Sequence, residues 1–102
     1  MSIQVFDKAD WQIDNGIDEE NVIEHFKFIY QWLTDFNLLS EEGKEVFEIG
    51  IDSSISLNDK MVNGKGKKFL EKYYDKYLES INYGIKEDYI LLKRMYQEMN
   101  VN

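Results

Sequence analysis

The single histidine, His25, is the residue best suited to acid–base chemistry in this 102-residue chain. An imidazole exchanges protons near neutral pH, and beside a carboxylate such as Glu24 or Asp35 it could serve as a general base. The chain has no cysteine, and no serine and acid at a recognisable spacing complete a catalytic set. We therefore predict that His25 is a partly buried side chain bonded to a carbonyl or a tyrosine hydroxyl, and that the protein is not an enzyme.

A different class of function stays open as the alternative. His25 and Trp32 are seven residues apart, so on a helix they lie on one side. They could line a pocket of a small ligand-binding domain or enzyme. Such a domain would need a concave pocket beside His25.

Four aspartates near the start of the chain could attract a metal ion. Asp7, Asp10, Asp14 and Asp18 recur every three to four residues, which would align them on a helix. A hard cation requires several convergent oxygens. However, Asn15-Gly16 is a turn signal inside this stretch, and the alternating ligands of a calcium loop are missing. The sequence predicts no metal site and no cofactor.

The acidic residues are concentrated in one half of the chain. Residues 1–52 carry 13 acidic and 3 basic side chains, whereas residues 53–102 carry 7 and 9. An acidic front repels nucleic-acid phosphates and anionic membranes, so we expect neither as a direct partner. It suits a basic protein partner, because complementary potentials speed encounter. The alternative is that the charge only keeps the protein soluble.

The composition predicts one domain that spans residues 1–102 and has a single modest core. Aromatic residues make up 15% of the chain and supply large rigid side chains to that core. The first residues lack the basic region and apolar run of a signal peptide. No apolar run approaches the roughly 20 residues that span a bilayer. We therefore expect a cytoplasmic protein, and the sequence leaves its oligomeric state open.

We expect residues 18–39 to form the central helix of the fold. Apolar side chains cover so much of its circumference that neighbours must pack on more than one side. Asp18 can cap the first turn, where Glu19 and Glu20 suit the helix dipole. The main apolar face consists of Val22, Phe26, Ile29, Leu33 and Phe36.

Three further helices are predicted after the central one. Ser40 is a good N-cap for a short helix that ends near Gly50. Apolar stripes predict longer helices over residues 67–79 and 85–99. Between the short helix and the helix at residues 67–79, Ser56 begins a weak capping box that would open a short turn.

Residues 1–17 are predicted to be an irregular N-terminal arm. We expect Trp11 to pack on the central helix, together with neighbouring apolar side chains. A short hairpin around Asn15-Gly16 is the alternative. The predicted fold class is therefore all-α, with four to five helices around a central buried helix and an irregular arm across them.

Several short segments of the chain carry a resemblance: they are Asp7-Lys-Ala-Asp-Trp11, Glu24-His25-Phe26 with Phe28-Ile-Tyr-Gln-Trp32, Gly66-Lys-Lys-Phe-Leu70 and Asp75-Lys-Tyr-Leu78. Together they resemble an uncharacterised family of small bacterial proteins. The chain departs from that family in lacking its prolines and the second histidine that follows the first tryptophan, where Gln12 stands instead. Proteins of this type resemble immunity proteins of polymorphic toxin systems, which are small acidic domains that bind and block a cognate toxin.

The resemblance and the charge together predict a stoichiometric inhibitor that occludes the active site of a basic toxin. Trp11 or Tyr30 would anchor the contact, since these residue types are enriched at interfaces. A phage-encoded inhibitor of a host defence nuclease would have the same properties and is an alternative. The acidic side chains expected to engage the partner are Asp10, Asp14, Glu41, Glu42, Glu45 and Glu48.

Overall fold

A computed structural model describes residues 4–81 and 86–101, which form a mainly helical domain with a small two-stranded sheet. The prediction of a predominantly helical domain is confirmed, but the fold is not purely all-α. In chain order the elements are β1 (Val5–Lys8), α1 (Ala9–Asp14), α2 (Glu19–Asp35), α3 (Glu41–Ile49), β2 (Ser56–Asn58), α4 (Gly64–Ser80) and α5 (Lys86–Val101).

Helix α2 is the central element, as the sequence predicts. The Asp18 carboxylate accepts a hydrogen bond from the Glu20 N–H at 3.0 Å and caps the first turn. Helices α1, α3 and α5 all contact α2, which explains why it is apolar around so much of its circumference. Its buried side chains are Val22, His25, Phe26, Ile29, Tyr30, Trp32 and Leu33.

Helix α2 ends at Asp35, four residues before the predicted end at Leu39. Asn37 adopts a left-handed backbone with φ 59°, a conformation that Asn tolerates. The Asn37 N–H bonds to the Thr34 carbonyl at 3.1 Å and the Leu38 N–H to the Leu33 carbonyl at 2.7 Å. This pair of bonds is a Schellman cap, which stops the helix and turns Leu38 and Leu39 into the core.

Helix α3 begins and ends where the sequence predicts. The Ser40 hydroxyl accepts a hydrogen bond from the Gly43 N–H at 3.1 Å, and Gly50 ends the helix with φ 124°. Only glycine adopts that backbone without strain. Gly43 itself lies against the chain at Met61, where an added Cβ would meet the Met61 carbonyl oxygen at 2.1 Å. The small residue therefore lets α3 pack closely on the segment after β2.

The two strands pair antiparallel, and the elements at both strands differ from the predicted irregular arm, its hairpin alternative and the predicted turn at Ser56. Val5 lies opposite Asn58 and Lys8 opposite Ser56, so residues 5–8 are not an irregular arm. Ser56 begins a strand rather than a capped turn, and Gly16, with φ 93°, follows α1 instead of forming a hairpin. Strand pairing supplies distant backbone partners, which the local patterns do not reveal.

The last two helices close the other side of the domain. Asn63 caps α4 by accepting a hydrogen bond from the Gly66 N–H at 3.0 Å, so α4 begins three residues before the predicted Lys67. Phe69 of α4 packs against Tyr96 of α5 with ring centroids 5.7 Å apart. The predicted start of the last helix at Ile85 lies outside the described residues. Within the described ranges, no helix has the length and apolarity needed to cross a bilayer.

Candidate functional site

Asp7 is the centre of a buried polar cluster. Strand β1 is antiparallel to β2 and places Asp7 opposite Leu57, with only 1% of its surface exposed. Oδ1 accepts hydrogen bonds from the Gln12 side-chain amide and the Lys8 N–H, both at 2.9 Å. Oδ2 accepts one from the Tyr74 hydroxyl at 2.6 Å. A buried carboxylate needs this many donors to offset its lost hydration.

His25 completes the cluster from α2. Its Nε2 lies 3.2 Å from Oδ2 of Asp7 and 3.4 Å from the Tyr74 hydroxyl. Because a carboxylate only accepts hydrogen bonds, the Nε2 atom carries the proton in this arrangement. The imidazole also stacks on Tyr77 with ring centroids 6.2 Å apart. The cluster therefore connects β1, α1, α2 and α4 through side chains.

The cluster lies in the core of the fold, away from solvent. His25 has no exposed surface, and a general base must reach the proton that it abstracts. Trp32 is equally buried, with Phe69 and Tyr96 packed against it at 5.0 and 5.6 Å between ring centroids. The structure thus places both residues in the core, and they do not line the solvent-open pocket that the enzyme alternative requires.

The four early aspartates do not form one group. Asp7 points into the core, whereas Asp10, Asp14 and Asp18 are exposed. Asp18 is occupied in capping α2. Among residues 4–81 and 86–101, no three side chains of the His, Asp or Glu type gather as a metal ion would require.

The predicted acidic residues of α3 form one exposed face. Helix α3 carries four glutamates against one lysine, and Glu41, Glu42, Glu45 and Glu48 are all exposed. The ammonium of the lysine, Lys44, lies 3.4 Å from the Glu41 carboxylate, and no other described residue forms an ion pair with the glutamates of this helix. The face is therefore a concentrated negative surface in solvent.

Of the two predicted aromatic anchors, only Trp11 is accessible. It is 47% exposed on α1 between the exposed Asp10 and Asp14, with the Lys8 ammonium 5.8 Å from its ring centroid. Helix α1 contacts α2, and about half of the Trp11 side chain stays in solvent. Tyr30 is wrong as an anchor, because it has no exposed surface and donates a hydrogen bond to the Ser56 carbonyl at 2.8 Å. Burial also raises the pKa of Tyr30.

The sequence reasoning missed one accessible residue. Ile49 is 87% exposed at the last position of α3. It lies seven residues after Glu42 and four after Glu45, so the three side chains share one side of the helix. That spacing was the available signal, because an isoleucine on an otherwise acidic stripe departs from the amphipathic pattern.

Two shallow cavities meet at Gly50, directly after Ile49. One, of about 360 Å³, is lined by α2 and by the chain after α3, with Phe28, Phe47 and Ile51 among its walls. The other, of about 260 Å³, includes Ile49 and the loop at residues 52–56. The end of α3 is thus an exposed apolar surface beside an acidic one.

Comparison of the chain with models of known families, with curated proteins and with solved structures gave no match. The resemblance to immunity proteins therefore stays a prediction. The candidate site is the exposed face of α3. Trp11 and its flanking aspartates on α1 form a second exposed group.

Proposed function

We propose that this protein is a stoichiometric inhibitor that binds a basic protein partner, in the manner of an immunity protein that occludes the active site of a toxin. The observation that carries the proposal is the exposed face of α3, where four glutamates adjoin an exposed isoleucine. Enzymes that cleave nucleic acids need basic surfaces to bind their substrates. An acidic helix competes for such a surface directly.

The two components of this face support binding in different ways. The carboxylates steer a basic partner during encounter and suppress acidic partners. An apolar side chain at the centre of an interface stabilises the complex through the area that it buries. Solvent-exposed charge pairs at the rim of an interface contribute little free energy of binding. Because charge and apolar surface coincide at α3, the face suits a protein partner better than a small anionic or neutral ligand.

A phage-encoded inhibitor of a host defence nuclease fits the same surface. It too would cover a basic nucleic-acid channel with acidic side chains. The two functions differ in the partner, so identification of the partner separates them.

The experiment is a pull-down from native cytoplasm in low and in moderate salt, followed by mass spectrometry and an activity titration of the captured partner. We expect one basic protein whose retention falls as salt rises, since salt screens exposed charges. Its activity should fall linearly to a plateau at one equivalent of inhibitor. A partner retained equally in both salts, or fully active when bound, would contradict the proposal.

A matched pair of charge reversals locates the surface. The first variant replaces Glu41, Glu45 and Glu48 of α3 by lysine, and the control replaces the exposed Glu71, Asp75 and Glu79 of α4. Both change the net charge equally. We expect loss of capture only in the α3 variant; equal loss in both would show that net charge alone drives capture.

A further inference from the structure

Ile49 and its surroundings form what we name the α3-end patch: Phe28, Phe47, Ile49 and Ile51, gathered around Gly50. Phe28, Phe47 and Ile51 are partly exposed and line one cavity, and Ile49 stands 87% exposed beside it. Single exposed apolar residues are common on protein surfaces. Here several of them adjoin two cavities, which is the arrangement of a surface that receives a side chain.

The backbone around the patch is fixed before any partner arrives. The Ser40 cap and the close contact of Gly43 with Met61 hold α3 in place. On the other side, Asp52 accepts a hydrogen bond from the Ser54 N–H at 2.9 Å, which fixes the loop after Gly50. A preformed surface loses little conformational entropy on binding.

The charges around the patch indicate which partner it fits. Glu45, Glu48 and Asp52 are exposed at its edge, and α3 has no basic residue in its last turn. The carbonyl end of a helix carries partial negative charge, which adds to these carboxylates. Lys27 also lines the larger cavity, and its ammonium lies 3.4 Å from the Glu24 carboxylate on its own helix. The rim of the patch therefore attracts lysine and arginine.

A second copy of this chain is a poor occupant. A two-fold interface would bring the same patch of both copies together. The exposed Glu45 and Glu48 of one copy would then face those of the other, and juxtaposed like charges disfavour association.

We propose that the α3-end patch binds an apolar side chain that is flanked by lysine or arginine on the partner protein. This inference rests on the proposed function, because it assigns the anchoring contact of the same inhibitor surface. In that contact Ile49 and the cavity walls cover the apolar side chain, while the rim carboxylates pair with the flanking cations.

The test uses three short peptides as probes, added at millimolar concentration to the full ¹⁵N-labelled chain. Their sequences are Lys-Lys-Leu-Phe-Lys-Lys, Lys-Lys-Ser-Ser-Lys-Lys and Glu-Glu-Leu-Phe-Glu-Glu. We expect amide shifts in residues 46–52 and at Phe28 with the first peptide, and at least fivefold weaker or no binding with the other two. Equal binding of the serine peptide would show that charge alone drives peptide binding, and it would overturn the proposal. Equal binding of the glutamate peptide would show that apolar contact alone drives peptide binding, and it would also overturn the proposal.

A matched pair of variants makes the test specific to Ile49. Ile49→Gln should weaken binding of the first peptide about tenfold, since it removes most of one buried isoleucine's apolar contact. Ile90→Gln on α5, where Ile90 is 47% exposed, should leave binding unchanged. Similar melting temperatures of both variants and the parent chain show that folding is not the cause. Equal effects of the two substitutions, or shifts that map elsewhere, would overturn the proposal.

Sedimentation of the chain alone shows whether two copies form a dimer. A dimer that Ile49→Gln dissociates would show that the patch is a self-interface and would overturn the proposal. The peptide test and the capture test fail separately. If the peptides bind the patch but the captured partner stays fully active, the patch is supported and the inhibitor function is refuted. If a partner is captured in a salt-sensitive way and inhibited but the peptides do not bind, the inhibitor function is supported and the patch is refuted.

Discussion

The two polar regions of this molecule are built in opposite ways. Around Asp7, the side chains of Gln12, His25 and Tyr74 lie inside the protein, and both carboxylate oxygens accept hydrogen bonds from the chain itself. Around α3, the carboxylates are exposed to solvent, and within the described residues only Glu41 of its four glutamates has an ion-pair partner. Buried groups that are fully bonded specify a fold, whereas exposed uncompensated groups are free to meet another molecule. The residue best suited to acid–base chemistry, His25, thus lies in the first region, and the proposed binding surface lies in the second.

The largest effect is expected from a substitution that disrupts the buried cluster around Asp7. Asp7→Ala removes the acceptor of Gln12, His25 and Tyr74, so three buried donors lose a partner. At about 1–3 kcal/mol for each unsatisfied donor, partly relieved by rearrangement, we expect the free energy of unfolding to fall by about 3–5 kcal/mol. Urea denaturation followed by circular dichroism measures it.

The control is Asp10→Ala in the same segment, because Asp10 is exposed. It should change the free energy of unfolding by less than about 0.5 kcal/mol. Comparable losses in the two variants would show that Asp7 does not hold the cluster together.

The next effect displaces the exposed region through Gly43, which lies where α3 packs on Met61. In Gly43→Ala the new methyl group would lie 2.1 Å from the Met61 carbonyl oxygen, so α3 must shift. Overpacking of this kind costs about 1–3 kcal/mol. We expect that loss in thermal unfolding, together with weaker capture of the partner because the acidic face moves.

Gly64→Ala is the matched comparison, since nothing lies within 4 Å of its added Cβ. At this first position of α4 we expect no loss, and up to about 1 kcal/mol of gain, because alanine restricts the unfolded chain. A stable Gly43→Ala protein with unchanged capture would show that close packing at Gly43 is not needed to position α3.

A smaller effect comes from the cap of α3. Ser40→Ala removes the acceptor of the Gly43 N–H, and loss of an N-cap costs about 1 kcal/mol. We expect local opening of α3, measured as faster amide hydrogen exchange at residues 43–45, with the amides of α2 unaffected. Ser40→Thr should restore protection, because threonine also caps helices and keeps a hydroxyl that can donate to the Lys60 carbonyl as Ser40 does.

The smallest effect tests the charge at the rim of the exposed region. Hydrogen bonds from the Ser54 hydroxyl and N–H hold the pKa of the Asp52 carboxyl below its ordinary value of 3.8. Such a group stabilises the folded chain above its unfolded pKa, and this contribution is lost as pH falls through the lower folded pKa. In Ser54→Ala a carboxyl NMR titration should give an Asp52 pKa closer to 3.8. An unchanged pKa would contradict the assignment of the shift to Ser54.

The parts of the fold that the sequence predicted are those with local signals. Asp18 and Ser40 cap helices within three residues of themselves, and Gly50 ends α3 where its backbone requires glycine. The end of α2 was predicted too late, although Asn37 is a residue type that occupies left-handed caps. Local chemistry thus accounts for where helices begin and for most of where they end.

The missed features depend on contacts between distant residues. β1 pairs with a strand about fifty residues later, and Asp7 bonds to Tyr74, which is 67 residues away. Neither pairing leaves a periodic pattern in four residues of sequence. The candidate surface was predicted in part, because charge is readable from composition, but the exposure of Ile49 and the burial of Tyr30 depend on how α2, α3 and β2 pack.

The position of β1 also has a consequence for folding during synthesis. Its residues are synthesised before those of α2 and α3, whereas β2 and Tyr74 follow both helices in the chain. Contacts between residues so far apart in the chain form late, because closing a long loop opposes them. We therefore expect β1 to pair with β2 after α2 has formed. Pulse-labelled hydrogen exchange during refolding should protect the amides of α2 before those of β1, and the reverse order would show that the strand nucleates the fold.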